Sequence, residues 1–414
     1  MKILSLQKKP DRSLHGKITT FLLATLVALS ACSGNNNTSS TPIPLPNGQP
    51  GSLITSNGNP ADCFASTTAT SLNTTFPCST AAGTTGVTAL NTFVSSSVPG
   101  IVVGASNGVV SVVNSVYSSS PNVVSCPALP SSSSISSISA VAVAGTNIFA
   151  AVGNTLYEFS GGTSSCSSPS STPIGSGTIT GLGVDITHGT LFGVTNSGSY
   201  FSIANASIVT SLSTSSLATP LTPLPNYPVS GPSINGMAID PNGLVFFADA
   251  STNTANNGGQ ITIYHVSSSN GNTLSPNNVQ SYSGNNNGVA MSDPIGIAVS
   301  ETSIPNSNYC STAPCDYIYL LNIGNSIQQY VMPVPNPNNG GVSINPFNLP
   351  YTGCEMTDPA AISSFPSLTS SPFSSQSPNG PFVFLGNKSP SSLGPCGGTS
   401  TYGNNVVSYG IIGQ

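Results

Sequence analysis

Residues 234–253 read INGMAIDPNGLVFFADASTN. An apolar run with a small residue in its third place is broken by Asp-Pro-Asn-Gly, and a second apolar run ends at Ala248-Asp249. Pro241 presets φ for a tight turn and Gly243 supplies the conformationally permissive position. The flanking runs are short and rich in Ile, Val and Phe, as strands are. The stretch therefore reads as two adjacent antiparallel strands and the turn between them.

The same phrase recurs along the chain. ITGLGVD (179–185) and PIGIAVS (294–300) share its first half, ISAVAVA (138–144) is a close variant, and TTGVTAL (84–90) and DPAAISS (358–364) are degraded copies. The small residue falls at Gly86, Ala140, Gly181, Gly236, Gly296 and Ala361, at spacings of 54, 41, 55, 60 and 65 residues. A second apolar run follows each copy, among them GTLFGVT (189–195) and DYIYLLN (316–322), and then a third, among them TLYEFS (155–160) and VVSYGII (406–412). After residue 31 no window sustains a 3.6-residue apolar stripe, and Gly and Pro are too frequent for long helices.

Repeats of this length signal a β-propeller. A twisted sheet of three or four strands cannot cover both its faces, whereas stacking such sheets around an axis covers both. The expected fold is all-β, a six-bladed propeller of three to four antiparallel strands per blade. Small residues in each first strand let backbones crowd toward the axis. The last copy stops at its third strand, so a segment within 42–60 is expected to close the ring as the missing outer strand. GMAIDPNGLVFFAD resembles the blade phrase of NHL-type and SMP-30/gluconolactonase-like propellers. That resemblance implies the fold, and a range of roles from binding module to metal-dependent lactonase.

The N-terminus reads as an address. Residues 1–17 are basic and polar, and ITTFLLATLVALSA (18–31) has the length of a signal-peptide apolar core rather than a membrane span. Leu29-Ser30-Ala31-Cys32 resembles the bacterial lipobox, which implies cleavage before Cys32 and acylation of its thiol and new amino group. Several acyl chains make a stable anchor. Ser33, rather than Asp, resembles the outer-membrane sorting preference of Gram-negative lipoproteins. The expected layout is a signal peptide (1–31), a lipid-anchored tether holding the closing strand (32–60), a disulfide-bearing segment (61–86) and the propeller (87–414).

With Cys32 set aside, eight cysteines remain: Cys63, Cys78, Cys126, Cys166, Cys310, Cys315, Cys354 and Cys396. An even count in an exported chain argues for disulfides, and 105 connectivities are open. The simplest set is local: 63–78, 126–166, 310–315 and 354–396. No C-x-x-C occurs and only His188 and His265 remain as imidazole ligands, so no Cys-based zinc site is expected.

Charged residues are 4 % of the chain. Beyond Cys32 there are one basic residue, Lys388, and ten acidic ones, a formal charge of −9. Nucleic-acid binding needs clustered Lys and Arg and is excluded. Asp185, Asp240 and Asp249 fall at strand ends, where turn capping is the simpler role and calcium or another hard cation the functional one. Glu158, Glu301 and Glu355 are the only Glu and do not match the metal-binding pattern of gluconolactonase-like enzymes. His188 reads as a turn residue and His265 as a strand residue. Tyr200, Phe201, Phe246, Phe247, Tyr317 and Tyr319 lie in strands, where packing is the expected role. No catalytic or metal-binding residue is assigned. The expectation is a non-catalytic binding or scaffolding module, held at the outer membrane or cell surface by its N-terminal lipid, with a protein or glycan partner. A metal-dependent lactonase is the alternative.

Overall fold

A computed structural model describes residues 53–55, 86–95, 98–114, 122–129, 137–251, 258–277, 279–283, 291–302, 315–323, 326–333, 345–351, 359–365, 382–388 and 406–411. The chain divides into Met1–Pro44 and Leu45–Gln414, and all the described residues lie in the second unit. After β1 (Leu53–Thr55), blade one contains β2 (Val87–Ser95), β3 (Val98–Ala105), β4 (Val110–Asn114) and β5 (Asn122–Ser125). Blade two contains β6 (Ala140–Ala144), β7 (Asn147–Val152), β8 (Thr155–Phe159) and β9 (Ser170–Pro173). Blade three contains β10 (Ile179–Asp185), β11 (Thr190–Thr195), β12 (Ser199–Ile203) and β13 (Thr219–Pro223). Blade four contains β14 (Ile234–Ile239), β15 (Leu244–Asp249), β16 (Gln260–His265) and β17 (Gln280–Ser283). Blade five contains β18 (Pro294–Thr302), β19 (Cys315–Asn322), β20 (Ser326–Pro333) and β21 (Asn345–Tyr351). Blade six contains β22 (Pro359–Ser364), β23 (Phe382–Asn387) and β24 (Val406–Ile411).

Each of the first five blades is a four-stranded antiparallel meander in chain order, and the sixth runs β22-β23-β24-β1. The first strands contact one another in the cycle β2, β6, β10, β14, β18, β22 and back to β2. The molecule is a closed six-bladed β-propeller, as the repeats lead one to expect. Helix is confined, among the described residues, to one turn at Gly162–Ser165 and two 3-10 turns.

The continuous apolar runs have a direct cause. In β15, Leu244, Phe246 and Ala248 pack against blade five, while Val245 and Phe247 pack against blade three. In β19, Tyr317, Tyr319 and Leu321 face blade six, and Ile318 and Leu320 face blade four. Both faces of a middle strand are core, so apolar residues fill both parities. The side chains of Phe246, Phe247, Tyr319 and Leu321 are completely buried. Burying each such side chain contributes about 1.5–3 kcal/mol.

The repeated small residue marks a β-bulge. Pairing of the first strand with the second slips between Val87 and Ala89, Ile179 and Gly181, Ile234 and Gly236, Pro294 and Gly296, and Pro359 and Ala361. This corrects the blade-one alignment: Ala89, not Gly86, occupies the repeated position. Gly86 precedes β2, and a methyl there would run into the Lys388 carbonyl of blade six. At Gly236 an added Cβ would lie 3.1 Å from the Gly296 Cα, so two blades meet here backbone to backbone.

The residue just before the repeated small residue also ties each of the first four blades to the next by a hydrogen bond. Thr88 Oγ1 donates to the Ile138 carbonyl (2.7 Å), Ser139 Oγ to Ile179 (2.6 Å), Thr180 Oγ1 to Ile234 (2.7 Å) and Asn235 Nδ2 to Pro294 (2.9 Å). Ile295 holds the matching place in blade five and packs against the apolar cluster shared with blade six. Thr180→Val leaves the Ile234 carbonyl without this donor at a half-buried interface. It is expected to cost about 1–2 kcal/mol, read as a lower urea midpoint at unchanged slope.

The ring closes through β1, which pairs with β24 from Leu53↔Ile411 to Thr55↔Tyr409. The junction of blades six and one is partly polar: the Thr92 amide donates to Ser363 Oγ (3.0 Å) and Thr92 Oγ1 to the Ser364 carbonyl (2.5 Å).

Candidate functional site

The six first strands bound an axial channel of about 500 Å³. Leu182, Met237, Ile297 and Ile362, at matching places in four blades, form one level of its lining. At the end where the first strands finish, the lining changes to Val94, Ile186 and Asp240. Val94 is 49 % exposed and Ile186 62 %, so this mouth carries apolar side chains in water.

Asp240 sits there because of the turn that first identified the blade. Its Oδ1 accepts the Asn242 amide (3.0 Å) and the Leu244 amide (2.6 Å), while Gly243 takes φ 81° to complete the turn. The other oxygen, Oδ2, faces blade five. There Glu301 and Asp316 are paired directly across β18 and β19. The three carboxylates place one oxygen each within 4.8 Å of one another. Asn242 Nδ2 bridges two of them, donating to Glu301 Oε2 (2.6 Å) and Asp240 Oδ2 (3.2 Å). Asp316 is 0 % exposed, and neither of its oxygens has a hydrogen-bond donor among the described residues.

Burial, then the charge of Asp240 and the carboxyl–carboxyl contact with it, then the charge of Glu301, push the Asp316 carboxyl well above the usual range. Burial likewise raises Asp240 to about 6, against the opposing pull of the Leu244 and Asn242 amides. Asp240 and Asp316 therefore hold more protons folded than unfolded. The stability they contribute is fullest below the unfolded carboxyl range near 4 and falls as pH rises through 6, while the single half-buried His265 works in the opposite direction. In EDTA, thermal unfolding is expected at higher temperature at pH 5 than at pH 7.5. The flanking groups are Asp185, whose Oδ2 lies 4.0 Å from the place of a Gly243 Cβ, and His188, whose Nδ1 is 2.5 Å from that same Oδ2.

The remaining candidates are spread over the molecule. Asp185 accepts the Thr187 amide (2.9 Å) as well as its contact with His188, so both are turn residues. Asp249, at the far end of its blade, accepts four donors. Glu158 is held by Ser160 Oγ (2.5 Å) and Ser170 Oγ (2.8 Å). His265 is half-buried opposite Leu244, and burial lowers its affinity for a proton. The six aromatics Tyr200, Phe201, Phe246, Phe247, Tyr317 and Tyr319 are all buried in blade interfaces. Cys126 and Cys166 form a disulfide. Cys315 is also disulfide-bonded, and its expected partner Cys310 lies outside the described residues, as do Cys32, Cys63, Cys78, Cys354, Cys396 and Glu355.

Sequence reasoning missed Asp316 and its meeting with Glu301. The two stand on either side of the 12-residue connection between β18 and β19, and only the β18–β19 register makes them neighbours. The available signal was an Asp after Cys315 at the head of an otherwise apolar strand.

The fold and this geometry define a six-bladed β-propeller. No family model matches the chain, and none of the curated proteins is significantly similar to it.

Proposed function

We propose that the chain is an exported propeller, anchored through an acylated Cys32, that acts as a non-catalytic binding module at the outer membrane or cell surface. The observation that carries this reading is the channel mouth, where Val94 and Ile186 stand exposed at the end of a channel of about 500 Å³ with a mixed apolar and polar lining. A formal charge of −9 beyond Cys32 selects a neutral or basic partner. A protein segment with an apolar tip suits that mouth.

A photoreactive side chain at Ile186 tests it in intact cells. Cross-links to one envelope protein are expected from position 186. Their absence there, with cross-links from a blade edge such as Ser171, would move the binding surface away from the mouth. Cys32→Ser is expected to abolish incorporation of a palmitate analogue and to release the chain from membranes.

A second reading, a metal-dependent lactonase, is favoured by the carboxylate trio, one member of which lines the channel. It requires cation-dependent turnover of a sugar lactone by the pure protein.

A further inference from the structure

We propose that Asp240, Glu301 and Asp316 bind one divalent cation, calcium in preference to magnesium, which fastens blade four to blade five. The proposal is independent of what the channel mouth binds. Two observations meet at this point. The first is geometric: three carboxylates from two blades converge within 4.8 Å, and Glu301 and Asp316 are opposite each other in one strand pair. Like charges in that relation destabilise a sheet. The second is the state of Asp316, completely buried, with both oxygens lacking a donor. A buried carboxylate is kept only when it is paired, hydrogen-bonded or bound to a metal.

Among the described residues no basic side chain pairs with the trio. Lys388 is the only Lys or Arg beyond residue 17, and it follows β23 in blade six. His188 is already turned to Asp185, and His265 makes no ion pair with the trio. A hard cation answers both needs, because it takes carboxylate oxygens and cancels two of the three charges. Calcium accepts irregular sets of six to eight oxygens, whereas magnesium demands a near-ideal octahedron. Asp240 Oδ1 is already committed to two backbone amides, which leaves Oδ2 for the ion and fixes its direction. Because Asp240 belongs to a turn of blade four while the other two belong to blade five, the ion crosses a blade interface that the Asn235–Pro294 hydrogen bond also crosses.

The experiment uses the full chain in detergent, stripped with EDTA and dialysed. Calcium chloride is titrated in calorimetry, with thermal unfolding followed in parallel. One calcium per chain is expected, with a melting temperature that rises by several degrees and saturates. Magnesium chloride should bind at least tenfold more weakly. Asp316→Asn should weaken calcium binding tenfold or more and erase the thermal response, although it removes a buried charge and so should fold. Glu301→Gln, at a half-exposed site, should weaken it less and serves as the check that lost binding is not lost fold. Ile186→Asp, at the mouth, should bind calcium normally even where it abolishes partner cross-linking from a photoreactive side chain placed at Val94. No binding heat and no thermal response in the wild-type chain would overturn the proposal, leaving Asp240 and Asp316 to share a proton instead. So would a full calcium response in Asp316→Asn.

Discussion

Excision of Leu53–Thr55 opens the ring. It is expected to lower stability by about 3 kcal/mol, from the lost pairing with β24 at roughly 1 kcal/mol per hydrogen bond. The structural damage exceeds that figure, because β24 then becomes a bare edge of the last blade. Bare edges recruit other strands. The shortened chain should therefore melt earlier and also self-associate with concentration, measured by calorimetry and sedimentation together. A synthetic peptide covering residues 48–60, added in excess, should restore the melting temperature and suppress association. Unchanged melting in the shortened chain would mean that the blades hold their circle without the N-terminal strand.

Replacement of Asp249 by Ala should be the most damaging single substitution, at about 4 kcal/mol. Its Oδ1 accepts the amides of Ser233 (2.9 Å) and Ser251 (2.8 Å), and its Oδ2 accepts Tyr227 Oη (2.8 Å) and Gln260 Nε2 (3.0 Å). One buried side chain thus joins the approach to β14, the exit from β15, the start of β16 and the loop after β13. Burial, and then the charge of Asp249, push the Tyr227 phenol upward, so it remains a donor throughout the usable pH range. Asp249→Asn keeps the volume but presents amide hydrogens to two donors, and should lose about half as much. Urea unfolding measures both. Equal, small effects from the two variants would show that water replaces the carboxylate. In blade five the same place is held by Asn322, which accepts the Ser292 amide (3.3 Å) and donates to Gln328 Oε1 (3.1 Å).

The inner three strands of each blade were legible because they obey one demand: apolar on both faces. The fourth strands were not, and their composition explains it. β9 reads SSTP, β13 TPLTP and β21 NPFNLPY. An outer strand has one neighbour and a wet flank, so Pro is tolerated and the apolar signal disappears. The displaced reading of Gly86 has a related cause. VTAL and TTGV both place a small residue among β-formers, and only the slip between Val87 and Ala89 distinguishes them. The carboxylate trio could not be read from local sequence because its members come from a turn and from the two sides of an insert. Asp240 was visible as a turn residue. Its second oxygen acquires a role only from what the neighbouring blade places opposite it.

The ring's fastening strand is also the first described element of the chain. Tension applied upstream of residue 53 would reach the Leu53–Ile411, Ile54–Gly410 and Thr55–Tyr409 pairs before any other described part of the fold. A chain tethered at that end carries its mechanical load on its own latch. A pull strong enough to strip three residues would unlock the circle while the interior of each blade stayed intact.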